Sequence, residues 1–284
     1  MSMRYRVMRF PNGKKKALTL SYDDGFKSDK RLAEIIDKYG VKCTFNINDA
    51  GIGAERRLSQ QEIENYILEY GHEVANHGNH HIAPGIASVK DGLHDMLEGR
   101  RRLENRFSRI IKGMAYPDSG IECTLLTDYK DIKKYLQMLG IVYGRTLGHD
   151  NNEFRMPTDW HRWVPTCHHN HPNLFQWLDE FKEFDNDTCY WSKRDPKLFY
   201  LWGHSYEFDN DNTWDVIEEF CKRATDSDDI WFATNMEIYE YTKAYESLQF
   251  NFDNTIVYNP SLYDIYFRDE EKDYMVKSGD VLKL

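Results

Sequence analysis

The sequence has no long apolar run. Nothing in its 284 residues approaches the 18 or so apolar residues that a membrane-crossing helix needs. The first ten residues, MSMRYRVMRF, carry charges and lack the apolar core of a signal peptide, so a cytoplasmic location is expected. Cysteine is sparse and unpatterned. The five, Cys43, Cys123, Cys167, Cys189 and Cys221, form no C-x-x-C, and an odd dispersed set fits free thiols better than a disulfide framework. Net positive charge is also missing. At −10 the chain lacks the basic face of a nucleic-acid binder, and Lys14-Lys15-Lys16 reads as a solvated strand start. There is no low-complexity segment and no repeat of the solenoid kind. Aromatics, by contrast, are abundant at 14%, enough for some to line a ligand groove as well as a core.

The residues that remain are patterned as alternating strands and helices. Apolar runs at 17–22, 42–47, 73–76, 113–116, 140–145, 198–203 and 229–234 predict strands. Helical spacing falls at 28–39, 59–70, 88–110, 130–139, 171–184, 213–224 and 236–247, and Ser59-x-x-Glu62 reads as a capping box. This βα alternation implies a parallel sheet, and about seven strands in about 230 residues suit an α/β, distorted (β/α)7-type barrel. After Leu248 the texture turns to short strands and turns. The expected division is a barrel domain over 1–247 and a short C-terminal β-appendage over 248–284 packed on it, whose edges could pair two subunits as a homo-oligomer.

Four places carry chemistry. LTLSYDDG ends an apolar strand on two adjacent carboxylates, Asp23 and Asp24, whose mutual repulsion requires either water or a nearby cation. Gly25 allows a bend that turns both acids toward one site. GHEVANHGNHH follows another strand and places His77 and His81 in H-x-x-x-H spacing. Two imidazoles and a carboxylate make the ligand set of a catalytic zinc site. CHHNHP (Cys167 to Pro172) is a weaker metal candidate, since consecutive ligands surround one ion poorly. His204 follows a late strand in LFYLWGHSYEF and suits a general acid.

Taken in order with MAYPDSG and DIWFATNMEIYEY, these motifs resemble the polysaccharide deacetylase family, the carbohydrate esterase family 4-like enzymes with a NodB homology domain, over roughly Lys14 to Ser247. The resemblance implies a distorted barrel and hydrolysis of an acetyl group, most often N-acetyl, on a carbohydrate substrate. It makes Asp23 the base, His204 the acid, and Asp24, His77 and His81 the ligands of a divalent metal, usually zinc. A backbone N–H near Asp118 would hold the oxyanion. Departures from the family pattern raise three questions. Gly78 stands where Ser or Thr is usual, so a looser loop is expected. Ala115 stands near the position of an arginine that orients the base, and Arg162 in DWHRW is the expected replacement. The fourth motif is carried by Asp159, Trp160 or Trp163, and Tyr22, Trp160, Trp163 and Trp202 are candidates for a substrate wall. The scaffold also admits hydrolysis of another C–N bond, in a formamide or cyclic ureide, or a non-catalytic carbohydrate-binding relative.

Overall fold

The computed structural model describes residues 5–150, 154–188, 190 and 194–284. In chain order the elements up to the barrel's last helix are β1 (Arg6–Arg9), β2 (Lys16–Asp23), α1 (Asp29–Lys38), β3 (Cys43–Ile47), α2 (Gln60–Ile63), β4 (Glu73–Asn76), α3 (Val89–Phe107), β5 (Gly113–Ala115), α4 (Tyr129–Met138), β6 (Tyr143–Arg145), β7 (Cys167–His168), α5 (Leu174–Glu183), β8 (Lys197–Gly203), α6 (Ser205–Asp211), α7 (Trp214–Thr225), β9 (Ile230–Phe232) and α8 (Asn235–Glu246). Parallel pairing runs β6-β5-β4-β3-β2-β8-β7. β8 lies along one side of β2. On the other side the first half of β2 pairs with β9 and its second half with β3. The sheet curls into a distorted, open α/β barrel.

Every residue of β2 is buried, as expected for a central parallel strand covered on both faces. Leu18, Leu20 and Tyr22 join Phe45, Leu32, Ile36, Leu201 and Phe208 in the main core. The predicted helices form, with ends shifted by a few residues, except that over 59–70 only Gln60–Ile63 is α-helical and Glu64–Leu68 continues it as a π-helical turn; Ser59 and Glu62 make the capping box. Besides β1, two elements were not expected. β7 is a two-residue strand inside CHHNHP, too short for a periodic signal. α6 starts directly after His204, in a stretch where no element was predicted.

Beyond α8 the chain forms β10 (Gln249–Phe250), β11 (Ile256–Tyr258), β12 (Ile265–Asp269), β13 (Lys272–Val276) and β14 (Val281–Lys283). These build two small antiparallel sheets, β10-β11-β14 and β1-β12-β13. The second recruits the amino-terminal strand β1. Val257, Ile265, Phe267 and Val276 pack with Met8, Phe10 and Tyr241 in one apolar cluster. Among the described residues, four cysteines are free thiols and no helix is long and apolar enough to cross a membrane; Cys189 lies outside them.

Two carboxyls, the buried Asp29 and the half-buried Glu73, set the pH dependence of this frame. Burial pushes Asp29 up to about 8, with Ser205 Oγ hydrogen-bonded to it. Burial also pushes Glu73 up to about 7, although it accepts from Tyr143, Thr44 and the Met236 N–H. Unfolded, such groups titrate near 4. Across the interval the folded protein keeps protons that the unfolded chain has released. The stability present at low pH is therefore lost as pH rises through these two folded values. In metal-free protein the urea midpoint should fall between about pH 6 and 8, and Asp29→Asn should flatten that fall. An equal slope in the variant would show that Asp29 does not carry it.

Candidate active site

The carboxyl ends of the parallel strands converge, which is where such barrels place chemistry. Together with the turns that follow, β2 brings Asp23 and Asp24, β3 Asn46, β4 His77 and His81, β6 Arg145, and β8 Trp202 and His204. Asp23, Asp24, His77, His81, Trp202 and His204 line a cavity of about 390 Å³ together with Tyr116, Asp118, Ser119, Leu147 and Tyr206.

The sharp turn after β2 answers why the two acids stand together. Asp24 itself takes the left-handed conformation (φ 83), with Gly25 following (φ 69). Its N–H is tied to the Asn46 carbonyl at 2.8 Å. His81 (φ 61) and Asp118 (φ 49) are also left-handed, a conformation that costs a non-glycine residue energy and collects at functional sites.

Asp24 Oδ1 lies 3.9 Å from His77 Nε2 and 3.6 Å from His81 Nε2, and the three ligand atoms all fall within 4.8 Å of one another. Ligands about 2.1 Å from one tetrahedral ion stand about 3.4 Å apart, close to these spacings. Two further observations fit a cation here. Asp24 Oδ1 is buried without a hydrogen-bond partner. The His77 Nδ1 hydrogen is directed at the Ala115 carbonyl, 2.9 Å away, which leaves the Nε2 lone pair pointing at Asp24. Burial, opposed by both aspartates, lowers the pKa of His77 and favours the neutral ligand form. Arg57 donates to the Asp24 carbonyl oxygen and lies 3.5 Å from its Oδ1, and sequence reading did not find it.

Asp23 is buried and doubly held. Asn46 Nδ2 donates to Oδ1 at 2.8 Å, and Arg145 pairs with Oδ2. Burial alone would raise this carboxyl, but Arg145, then His77 and His204, outweigh it and keep it below the usual carboxylate range. Arg145 thus makes the contact with Asp23 that was expected of Arg162. It is fully buried and its guanidinium stacks on Trp202, 4.5 Å from the ring centre. Arg162 does not reach the site. It is half-exposed, and Glu122 is 4.0 Å away. The signal for Arg145 was present, since it ends a predicted strand just as Asp23 does.

The aromatic candidates divide in the same way. Trp202 lines the cavity. Tyr22 alternates to the opposite face of β2 and packs on His169 and Phe208. Trp163 is core, against Tyr143 and Tyr200, and Trp160 packs on Trp163 and Tyr239. Asp159 is bound to Tyr129 and Lys133, away from the cavity. Asp118 lies on the rim.

Gly78 does not leave the metal loop loose. A Cβ there would sit 2.3 Å from Asp95 Oδ2, so the buried Asp95 carboxylate of α3 fills the side-chain space. It accepts from the N–H of His80 (2.8 Å) and of Ile82 (3.3 Å), bracing the backbone on both sides of His81. Gly78→Ser should displace Asp95 and weaken zinc binding about tenfold. Unchanged affinity by calorimetric titration would show that Asp95 does not brace His81.

Residues 10–136 match the family model described as polysaccharide deacetylase. That segment belongs to the polysaccharide deacetylase family. The matched segment is accordingly of the polysaccharide deacetylase type, hydrolases of amide or ester bonds. Asp23, Asp24, His77, His81 and Asp118 lie inside the matched segment; Arg145, Trp202 and His204 lie beyond it. No curated protein matches the sequence. Solved structures share the fold. A Mycobacterium smegmatis protein assigned to the polysaccharide deacetylases aligns at a TM-score of 0.58 and 17% identity, covering 84% of this chain and 94% of that one. The Bacillus subtilis peptidoglycan deacetylase aligns at 0.53 and 16%, covering 84% and 96%. A carbohydrate esterase domain of a multidomain xylanase from the hindgut metagenome of Trinervitermes trinervoides aligns at 0.53 and 14%, covering 81% and 92%.

Proposed function

We propose that this polysaccharide deacetylase-type hydrolase removes acetyl groups, chiefly N-acetyl, from a carbohydrate, using a divalent metal held by Asp24, His77 and His81, zinc being the natural choice for this ligand set. The observation that carries the reading is the convergence of those three ligand atoms beside a buried, arginine-paired carboxylate. A metal bound there supplies Lewis acidity, polarising the acyl carbonyl and making a water more acidic.

The chain's own residues do the rest. Asp23 is the base, kept ionised by Arg145 and oriented by Asn46, with Oδ2 4.0 Å from both His77 Nε2 and His204 Nε2. It accepts the proton of the attacking water. The Asp118 N–H, on its left-handed turn at the rim, is the donor assigned to the developing oxyanion. His204 faces Asp23 across the cavity and protonates the departing nitrogen. An amine leaves poorly without that proton, so a charged imidazole on this side favours amides. Burial disfavours the charge on His204, but Glu207 and Asp23 outweigh it and raise its pKa. Trp202 and Leu147 supply apolar wall for the acetyl methyl and the sugar face.

The test is acetate release from N-acetylglucosamine oligomers, O-acetylated xylan and a formamide panel by zinc-loaded protein. Acetate from the N-acetyl oligomers supports the reading. Formate alone would place the chain among the other C–N hydrolases, and saturable sugar binding without any release would make it a binding protein.

A further inference from the structure

His204 is held by something the motifs do not contain. Its Nδ1 lies 3.5 Å from Glu207 Oε1, one helical turn on. The two residues also share backbone contacts at the start of α6. The Glu207 N–H donates to the His204 carbonyl at 3.1 Å, and the His204 N–H reaches Glu207 Oε2 at 3.4 Å. From its far side Glu207 Oε2 meets two more imidazoles, His168 Nε2 and His169 Nε2, each at 3.1 Å.

Three imidazoles around a carboxylate could equally be metal ligands, and the donor atoms of His168, His204 and Glu207 lie within 4.8 Å of one another. The tautomer of His168 separates the two readings. The Asn170 N–H donates to His168 Nδ1 at 3.1 Å. That bond occupies the Nδ1 lone pair, so in the neutral ring the hydrogen sits on Nε2. An N–H nitrogen has no lone pair for a metal, and this one faces Glu207 Oε2 at 3.1 Å. His169 cannot swing away, being buried and stacked between Phe208 (4.1 Å) and Tyr22 (5.7 Å). Gly203 leaves the room for its ring, since a Cβ there would fall 2.0 Å from His169 Nδ1.

We infer that Glu207, clamped by His168 and His169, is the positioning residue for His204, fixing the ring so that Nδ1 faces the carboxylate and Nε2 faces the cavity. This rests on the proposed acid role of His204. The electrostatics agree with the geometry. Burial works against an ionised Glu207, but the three imidazoles of His168, His169 and His204 facing it outweigh that and hold the carboxyl far below the usual range. The charged and titratable groups facing this cluster are His168 and His169 from β7 and its loop, and Asp23 and Asp24 from β2 and its turn. Tyr206 lies on α6 itself, and Arg145 is paired to Asp23 on β6. A buried imidazolium at the start of a helix is disfavoured, and Glu207 supplies the compensating charge.

The test follows the His204 imidazole by NMR titration in ¹⁵N-histidine-labelled, zinc-loaded protein, with the pH profile of kcat/KM on N-acetylglucosamine hexamer alongside. Glu207→Gln should lower the His204 midpoint by about one pH unit and move the alkaline limb of the profile down with it. Glu207→Asp should restore part of both. Should Glu207→Gln not fold, His168→Gln, at a partly exposed residue, should give a smaller shift in the same direction. A His204 midpoint unchanged in the folded variants would overturn the assignment, as would loss of a second equivalent of zinc in His168→Gln. If the wild type releases no acetate, the deacetylase reading fails, while the NMR midpoints still decide whether Glu207 positions His204.

Discussion

Asp23→Asn should leave one equivalent of zinc bound and cut acetate release by at least 10²–10⁴-fold, the range expected when a positioned base is removed. The substitution keeps the shape of the side chain and its contact with Asn46, so the ligand cluster is undisturbed. It removes the charge opposite Arg145 and the lone pair that takes the proton. In the proposed site Asp24 and not Asp23 belongs to the ligand set, so metal content and turnover should separate. Elemental analysis and steady-state kinetics on the same preparation check this. Simultaneous loss of metal would mean that the two acids do not have different tasks.

Arg145→Met carries the second large effect, and it falls on stability as well as activity. The guanidinium is the principal compensation for a carboxylate buried at 2% exposure. Removing one partner of a buried ion pair costs about 3–5 kcal/mol, because the remaining charge has no other compensation of that kind. Denaturant unfolding at neutral pH should show that loss. The sign with pH follows from the lowered carboxyl. In the wild type the Asp23 pair contributes stability above the unfolded pKa, and this is lost as pH falls through the folded value. Without Arg145 the carboxyl rises, so Asp23 is protonated over more of the acidic range and the acid limb of kcat/KM moves to higher pH. Arg162→Met should do neither, since its side chain points toward Glu122 and outside the cavity.

These two residues also show how far the sequence could be read. Asp23, Asp24, His77 and His81 are close in the chain to strand ends, and each motif states its own chemistry. His204 was legible for the same reason. What the sequence could not show was partnership across the sheet. Arg145 lies 122 residues from Asp23, and only the order β6-β5-β4-β3-β2 brings their side chains together. Asp95 fills the space left by Gly78 from a helix whose face cannot be fixed to that precision by periodicity. Glu207 was hidden because no element was predicted between the strand ending at Gly203 and the helix from 213, whereas a helix begins after His204 and places i and i+3 on one side. Tyr22 failed as a wall residue for a simpler reason. A strand alternates, and if Asp23 faces the cavity, Tyr22 faces the core. The role of Trp160 and Trp163 as core aromatics reflects the small sheets and α8 that cover that flank, none of which the motif pattern addresses.

The central claim is that one metal ion sits among Asp24, His77 and His81, and an anomalous difference map collected at the zinc absorption edge on crystals of zinc-loaded protein tests it most directly. The account predicts one peak bonded to the Asp24 carboxylate and to Nε2 of both histidines, absent from His77→Ala crystals. No peak at that position, or a peak among His168, His204 and Glu207 in its place, would contradict it.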